Sequence, residues 1–387
     1  MLLLLLACTP TEPVSTLPTE PTPVEDPFAP LPERTSTLTD VSTDLEAVLE
    51  NGALQGACDA WEADPTEANE LLCGKAMFFY EDFDGAGVPT AIFDFLGDNF
   101  PDQVGRGHHH FGLFEDPLHP RGRPLGFPRG RDMPGGSPTV AFGCAACHFG
   151  QLPDGRYAVG MPNQAYDYGA HMLTVGLAPS SIAPGFRASD HDPAAIEAAS
   201  PVIDRLRAEP LLAAQFGFAL LPLLEEEPVA MSLETEGYYA GWAPGTMDFV
   251  IEPLPLDDGV HVVTRILPLW EIPAEGDAQL AWTGGAPTLM DFLEGFIQVT
   301  GSAVDWPPER LKPLETYLLS LRAPVNPDAP SDVGAGRQVF ESACLECHAG
   351  PRGSGLEVYS FDEVGTDRAL ERWADPGLDG SFCCGMG

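Results

Sequence analysis

One pentapeptide, Cys-x-x-Cys-His, occurs twice in this chain, at Cys144-Ala145-Ala146-Cys147-His148 and at Cys344-Leu345-Glu346-Cys347-His348. Two thiols and an imidazole within one local turn can reach the two vinyl groups and the iron of one haem. The cysteines form the thioether links and the histidine binds the metal from one side. Chance supplies on the order of 0.005 copies of the pattern per chain at this cysteine and histidine usage, so two copies are a strong signal. A zinc reading needs two Cys-x-x-Cys knuckles close enough to share a metal, and these stand 200 residues apart in sequence. The expectation is two covalently held c-type haems, with Cys144, Cys147, Cys344 and Cys347 as attachment points and His148 and His348 as iron ligands.

The rest of the composition bounds the setting. With 387 residues and 44% apolar content the chain is long enough for two domains or one large core with a satellite. Forty-one glycines and 40 prolines argue for a loop-rich architecture with short helices. Nineteen basic against 58 acidic residues give a formal charge of −39, which repels phosphate backbones and excludes nucleic acid as an expected partner. The acidic surface serves solubility, or it is a docking face for a basic redox partner such as a small cytochrome.

The first eight residues, Met1 to Cys8, resemble the end of a bacterial lipoprotein signal in which Cys8 becomes lipidated. The run is too short for a membrane span, so membrane attachment is expected only through a lipid anchor. The alternative is an accidental Leu-rich start on a soluble protein. Residues 9–38 form a Thr/Pro/Glu-rich tether. An exported lipoprotein of the periplasm or outer membrane follows from that pair. Cys58 and Cys73 either close a loop as a disulfide or remain two buried thiols.

Several segments around the first pentapeptide carry a resemblance. They are Pro124-Leu125-Gly126-Phe127, Gly160-Met161-Pro162-Asn163, Gly241-Trp242-Ala243-Pro244-Gly245-Thr246-Met247-Asp248, Leu267-Pro268-Leu269-Trp270 and Ala281-Trp282-Thr283-Gly284-Gly285, with Val364-Gly365-Thr366-Asp367 after the second site. Together they resemble the large di-haem cytochromes related to bacterial cytochrome c peroxidase and to the haem-dependent rubber oxygenases, from about residue 90 to about residue 372. The resemblance implies a mainly α, loop-rich fold with two cytochrome c-type haem domains. One haem then keeps an open position for dioxygen or peroxide, and the other relays electrons. It also places Trp270 or Trp282 on the distal side of the first haem, although tryptophans beside Pro and Gly are more often packing residues. Relatives continue further after the Gly-Thr-Asp segment, so the second haem domain is short or truncated here. Met386 is a weak candidate for its distal ligand.

The expected organisation is a signal end over 1–8, the tether over 9–38, an N-terminal haem domain with insertions over 39–325 and a partial second haem domain over 326–387. Within it, Leu311, Leu314, Leu318 and Leu321 share one helical face, and Gly334 to Ala343 form the helix that delivers Cys344. Residues 193–227 are a further helical region with Ile196, Ile203, Leu206, Leu211 and Leu212 in the core. A hairpin is expected to pair Val250–Leu256 with Val260–Leu267. Arg106, Arg121, Arg123, Arg129 and Arg131, with His108, His109, His110 and His119, crowd the run before the first site. They pair with haem propionates or belong to a solvated loop. Three functions remain open: electron transfer, a peroxidase-like or oxygenase-like oxidoreductase, and a non-redox structural lipoprotein.

Overall fold

The computed structural model describes residues 38–85, 87–133, 135–221, 239–248, 263–273, 280, 286–299, 304–326, 332–348 and 359–365. It is mainly helical and loop-rich, with short strands between the helices. Two compact units are distinguished, a main one within Glu33–Pro330 and a small one within Ser331–Gly355.

The main unit's helices are α1 (Leu45–Val48), α2 (Ala57–Ala63), α3 (Glu67–Tyr80), α4 (Thr90–Asn99), α5 (Cys144–His148), α6 (Tyr168–Ser181), α7 (Pro193–Ala208), α8 (Pro210–Ala219), α9 (Leu289–Val299) and α10 (Pro308–Ser320). Side-chain caps start several of them. Thr66 accepts from the Asn69 N–H, Asp167 from Ala170, and Asp192 from Ala194 ahead of Pro193 at the first turn. Arg205 and Arg207 sit in the last turn of α7, where cations suit the carbonyl end.

These helices bury two adjoining apolar clusters. One gathers Ile92 and Leu96 of α4, Leu173 and Leu177 of α6, Ile203 and Leu206 of α7 and Phe216 of α8. The other gathers Phe78 and Phe79 of α3, Leu293 and Ile297 of α9, and Leu311, Leu314 and Leu318 of α10. The stripe expected on α10 is therefore buried as the spacing predicts, and Leu321 with it. Helices α3 and α10 approach so closely at Gly74 that a Cβ there would collide with the Pro313 carbonyl. Lys75, buried on α3, bonds to Asp40 (2.8 Å) and Glu50 (2.7 Å), and the Tyr317 hydroxyl donates to Asp40 (2.7 Å). The two carboxylates compensate the buried ammonium, which alone would cost several kcal/mol. Cys58 and Cys73 form a disulfide across α2 and α3.

The strands are β1 (Val41–Ser42), β2 (Val88–Pro89), β3 (Arg129–Gly130), β4 (Thr139–Val140), β5 (Phe149–Gln151), β6 (Tyr157–Val159), β7 (Thr246–Asp248) and β8 (Val263–Arg265). They pair antiparallel in the orders β1-β6-β5, β2-β4-β3 and β7-β8. Strand β5 continues α5 without a break and pairs Phe149 with Val159 and Gln151 with Tyr157.

Two expectations are corrected. Leu211 is 75% exposed while Leu212 is buried, because Pro210 begins a new helix after Glu209 and resets the phase that α7 had set. Val263–Arg265 of the expected second arm pairs with Thr246–Asp248, a register ahead of the expected one, and Val250–Leu256 lies outside the described residues. The small unit holds α11 (Gly334–Ala343), as its sequence predicts, yet none of its residues is buried. A last helix, α12, spans Phe361–Val364.

Candidate functional site

Helix α5 is one turn of chain held from all sides. Cys144 and Ala145 pack into the α3/α10 cluster, whereas Ala146 and Cys147 pack into the α4/α6/α7 cluster. At its start Gly143 donates to the Gly126 carbonyl (2.8 Å). Gly126 has a positive φ of 79°, and a Cβ on it would collide with the Ala146 backbone nitrogen, so only glycine allows this approach. Its last carbonyls lack helical partners and are met by one loop. The Gly160 N–H donates to His148 O (2.8 Å), the Asn163 N–H to Cys147 O (2.7 Å), and the Asn163 side chain to Ala146 O (3.3 Å) and Gly112 O (2.9 Å).

The imidazole of His148 is oriented by a carbonyl 119 residues further on. Its Nδ1 lies 2.9 Å from Leu267 O. A carbonyl only accepts, so Nδ1 carries the hydrogen and Nε2 is left with its lone pair. Burial pushes this histidine down to about 4 against the opposing pull of the Leu267 bond, which keeps it neutral. A neutral, bare, oriented imidazole nitrogen is a metal ligand in waiting. The Leu267–Trp270 segment is itself anchored: Leu269 donates to Gly160 O (2.8 Å) and the Trp270 indole N–H to Val159 O (2.6 Å). Trp270 thus braces the segment that orients His148, a packing and anchoring role.

The Cys144 and Cys147 thiols are buried and not disulfide-bonded, although the chain forms a disulfide elsewhere. Burial pushes Cys144 up to about 12 and Cys147 higher, so the thiolate is disfavoured at both. A thioether has no ionisable proton, so the same burial leaves a covalently linked sulfur unpenalised. Cys147 Sγ lies 3.6 Å from Met247 Sδ on β7. Among the described residues no group of three His, Cys, Asp or Glu side chains is arranged around a metal. Were a haem present, Nε2 of His148 would bind its iron and the Cys144 and Cys147 sulfurs would carry its thioether links. The donor set at α5 therefore fits a haem.

The second pentapeptide follows α11 directly. Cys344 donates to Phe340 O (2.9 Å), and Cys347 (3.2 Å) and His348 (2.9 Å) donate to Cys344 O, so the backbone makes the same kind of turn. Cys344 is half-buried, and Cys347 and His348 are exposed. Cys8, Trp282 and Met386 lie outside the described residues.

The arginine run is neutralised by carboxylates of the chain itself. Arg121 and Arg123 share Asp94 (2.6 and 3.2 Å), Arg106 pairs with Glu115 (3.2 Å) and Arg129 with Asp132 (2.8 Å). Arg131 reaches the Asp84 carbonyl. Arg123 and Arg129 also border a cleft of about 190 Å³ with Tyr80, Asp116 and His119. Burial raises the Asp116 carboxyl above its usual range there, beside the Tyr80 hydroxyl. The triple histidine divides: His108 is buried, while His109 and His110 are exposed. His108 meets His171, and His171 meets Tyr166, two residues that no local pattern marks because the contact spans 63 positions.

No protein-family model, no curated protein and no solved structure matches this chain. Among the described residues no helix is long and apolar enough to cross a membrane.

Proposed function

We propose that this chain is a di-haem c-type cytochrome that transfers electrons in the cell envelope, within a peroxidase-like or oxygenase-like oxidoreductase. One haem is linked through Cys144 and Cys147 with His148 on its iron, in the domain over 39–325. The other is linked through Cys344 and Cys347 with His348, in the second domain over 326–387. The observation that carries this reading is the Leu267 carbonyl bond to His148, which presents a neutral Nε2 one turn from two unpaired buried thiols. When bound, such a group supplies a ferric–ferrous couple whose potential follows ligands, burial and hydrogen bonding. The chain's own part is to fix the imidazole through Leu267, to hold the attachment turn with the Gly160–Asn163 loop, and to keep water from the Cys147 side with the core around it.

The Cys58–Cys73 disulfide supports an oxidising compartment, in keeping with an exported lipoprotein anchored at Cys8. A small basic cytochrome is the expected redox partner, drawn by the acidic surface.

Pyridine haemochrome analysis and intact mass of protein exported with its haem-attachment machinery test the shared premise. The expected result is two haems per chain and one in the Cys144→Ala/Cys147→Ala variant. A mass equal to bare polypeptide ends the reading. Carbon monoxide binding by the reduced protein then separates an enzyme with an open iron from a carrier with both irons closed.

A further inference from the structure

Three side chains in the first apolar cluster form a hydrogen-bonded line with one allowed direction. Tyr166, His171 and His108 are each at most 1% exposed. His108 Nε2 lies 2.9 Å from Phe93 O, so that nitrogen donates and Nδ1 is bare. His171 Nε2 lies 2.9 Å from that Nδ1 and must carry the hydrogen, which leaves His171 Nδ1 bare in turn. Tyr166 Oη lies 3.0 Å from it, and its proton is aimed there. Phe93 stacks on His108 at 3.7 Å between centroids and Phe111 on His171 at 4.7 Å, which locks both rings.

We propose that Tyr166 is a redox-active tyrosine beside the first haem site, with His171 the base that takes its proton and His108 a positioning residue that fixes the His171 tautomer. This rests on the haem reading above. Tyr166 stands close to the attachment turn: its N–H donates to Asn163 O (3.3 Å), and Asn163 in turn donates to Cys147 O. Tyr166 shares the same apolar cluster with Ala146 and Cys147. In the step, one electron leaves the phenol for haem iron oxidised by peroxide, and the O–H bond breaks. An N–H bond forms at His171 Nδ1, leaving a neutral phenoxyl radical and an imidazolium. An electron from the redox partner then reduces the phenoxyl, and the proton returns from His171 Nδ1 to its oxygen, while the iron keeps the first electron. Burial penalises tyrosinate and pushes both imidazoles toward the neutral form, so the proton cannot leave ahead of the electron. The radical is a stepping stone rather than a store, because the buried imidazolium is equally costly.

The test uses the haem-loaded protein, its haem content measured first, mixed with hydrogen peroxide and frozen for electron paramagnetic resonance. A tyrosyl signal is expected that narrows with ring-deuterated tyrosine and is absent in Tyr166→Phe of equal haem content. His171→Gln should lower its yield about tenfold or more, since a positioned base is lost while a polar side chain remains. A haem-replete protein with no tyrosyl signal, or with one unchanged in Tyr166→Phe, overturns the proposal and leaves the haem reading standing. Should Tyr166→Phe fail to fold, a signal in the native protein unaffected by ring deuteration overturns it equally. Protein without haem overturns both.

Discussion

The same five-residue pattern stands in two opposite surroundings. At Cys144–His148 the turn is wedged between two apolar clusters, its carbonyls are met by one loop and its histidine is aimed by Leu267. At Cys344–His348 the turn closes by similar backbone bonds, but the helix before it buries nothing, and Val333 and Val339 are 61% and 63% exposed. A Cys-x-x-Cys-His segment therefore encodes its local turn and nothing about what surrounds it. The surroundings come from residues far away in sequence. At the first turn the imidazole is already oriented by a carbonyl and both thiols are buried before any group is attached. At the second turn Cys344 is half-buried and Cys347 and His348 are exposed.

Gly126 is where this comparison breaks most easily. Gly126→Ala places a Cβ against the Ala146 nitrogen and forces an L-residue to a φ of 79°. Left-handed strain and overpacking each cost about 1–3 kcal/mol, so a loss of about 3 kcal/mol or more is expected in denaturant unfolding of the main unit. Hydrogen exchange over 334–348 should be unchanged in the same variant. A stability within about 1 kcal/mol of native would mean that the bracing at α5 is not what distinguishes the two turns.

Acid sharpens the same contrast, because buried neutral histidines belong to the first region. Burial holds His108 at about 4 instead of 6.5, with the Phe93 bond and Asp94 opposing. The unfolded chain binds this proton first as the pH falls, so the stability it contributes is complete above 6.5 and is lost progressively toward 4. The amount is on the order of 3 kcal/mol. Glu81 acts in the opposite sense: burial and Asp82 raise it to about 7, so its contribution is present at low pH and lost as the pH rises through 7. The measurement is therefore a difference between native and His108→Gln unfolding free energies at pH 7 and pH 4, in which Glu81 cancels. The native protein should lose more by about that amount. Equal losses would mean that His108 is protonated in the folded state.

What the sequence made legible follows from how local each feature is. The α10 stripe and the α11 helix before Cys344 need only neighbours within a few turns, and both are found as read, while of the two readings open for Cys58 and Cys73 the structure has the disulfide. The mainly helical, loop-rich character was legible in the same way, from glycine, proline and apolar spacing. Periodicity carried across Glu209 places Leu211 in the core, but Pro210 restarts the helix and turns it outward. The arginine run was read as a local cue, yet its partners are Asp94, Glu115 and Asp132, and the first of these lies on α4. Nothing in His108-His109-His110 says which ring turns inward. That choice is made by Phe93 and by His171, 63 positions later. The Leu267 bond to His148 is the extreme case, because no local pattern joins two segments 119 positions apart.

The smallest effect tests the other side of the comparison. Gly336 lies inside α11, and a Cβ there would meet no atom within 4 Å. With no neighbour to strike, Gly336→Ala changes only the backbone entropy of an exposed helix, and alanine is the better helix former by about 0.5–1 kcal/mol. The variant should slow amide exchange over 334–348 by about three- to fivefold, the equivalent of that energy, and leave the main unit's unfolding midpoint where it was. A loss of helix protection would show that something packs against this face in the intact protein.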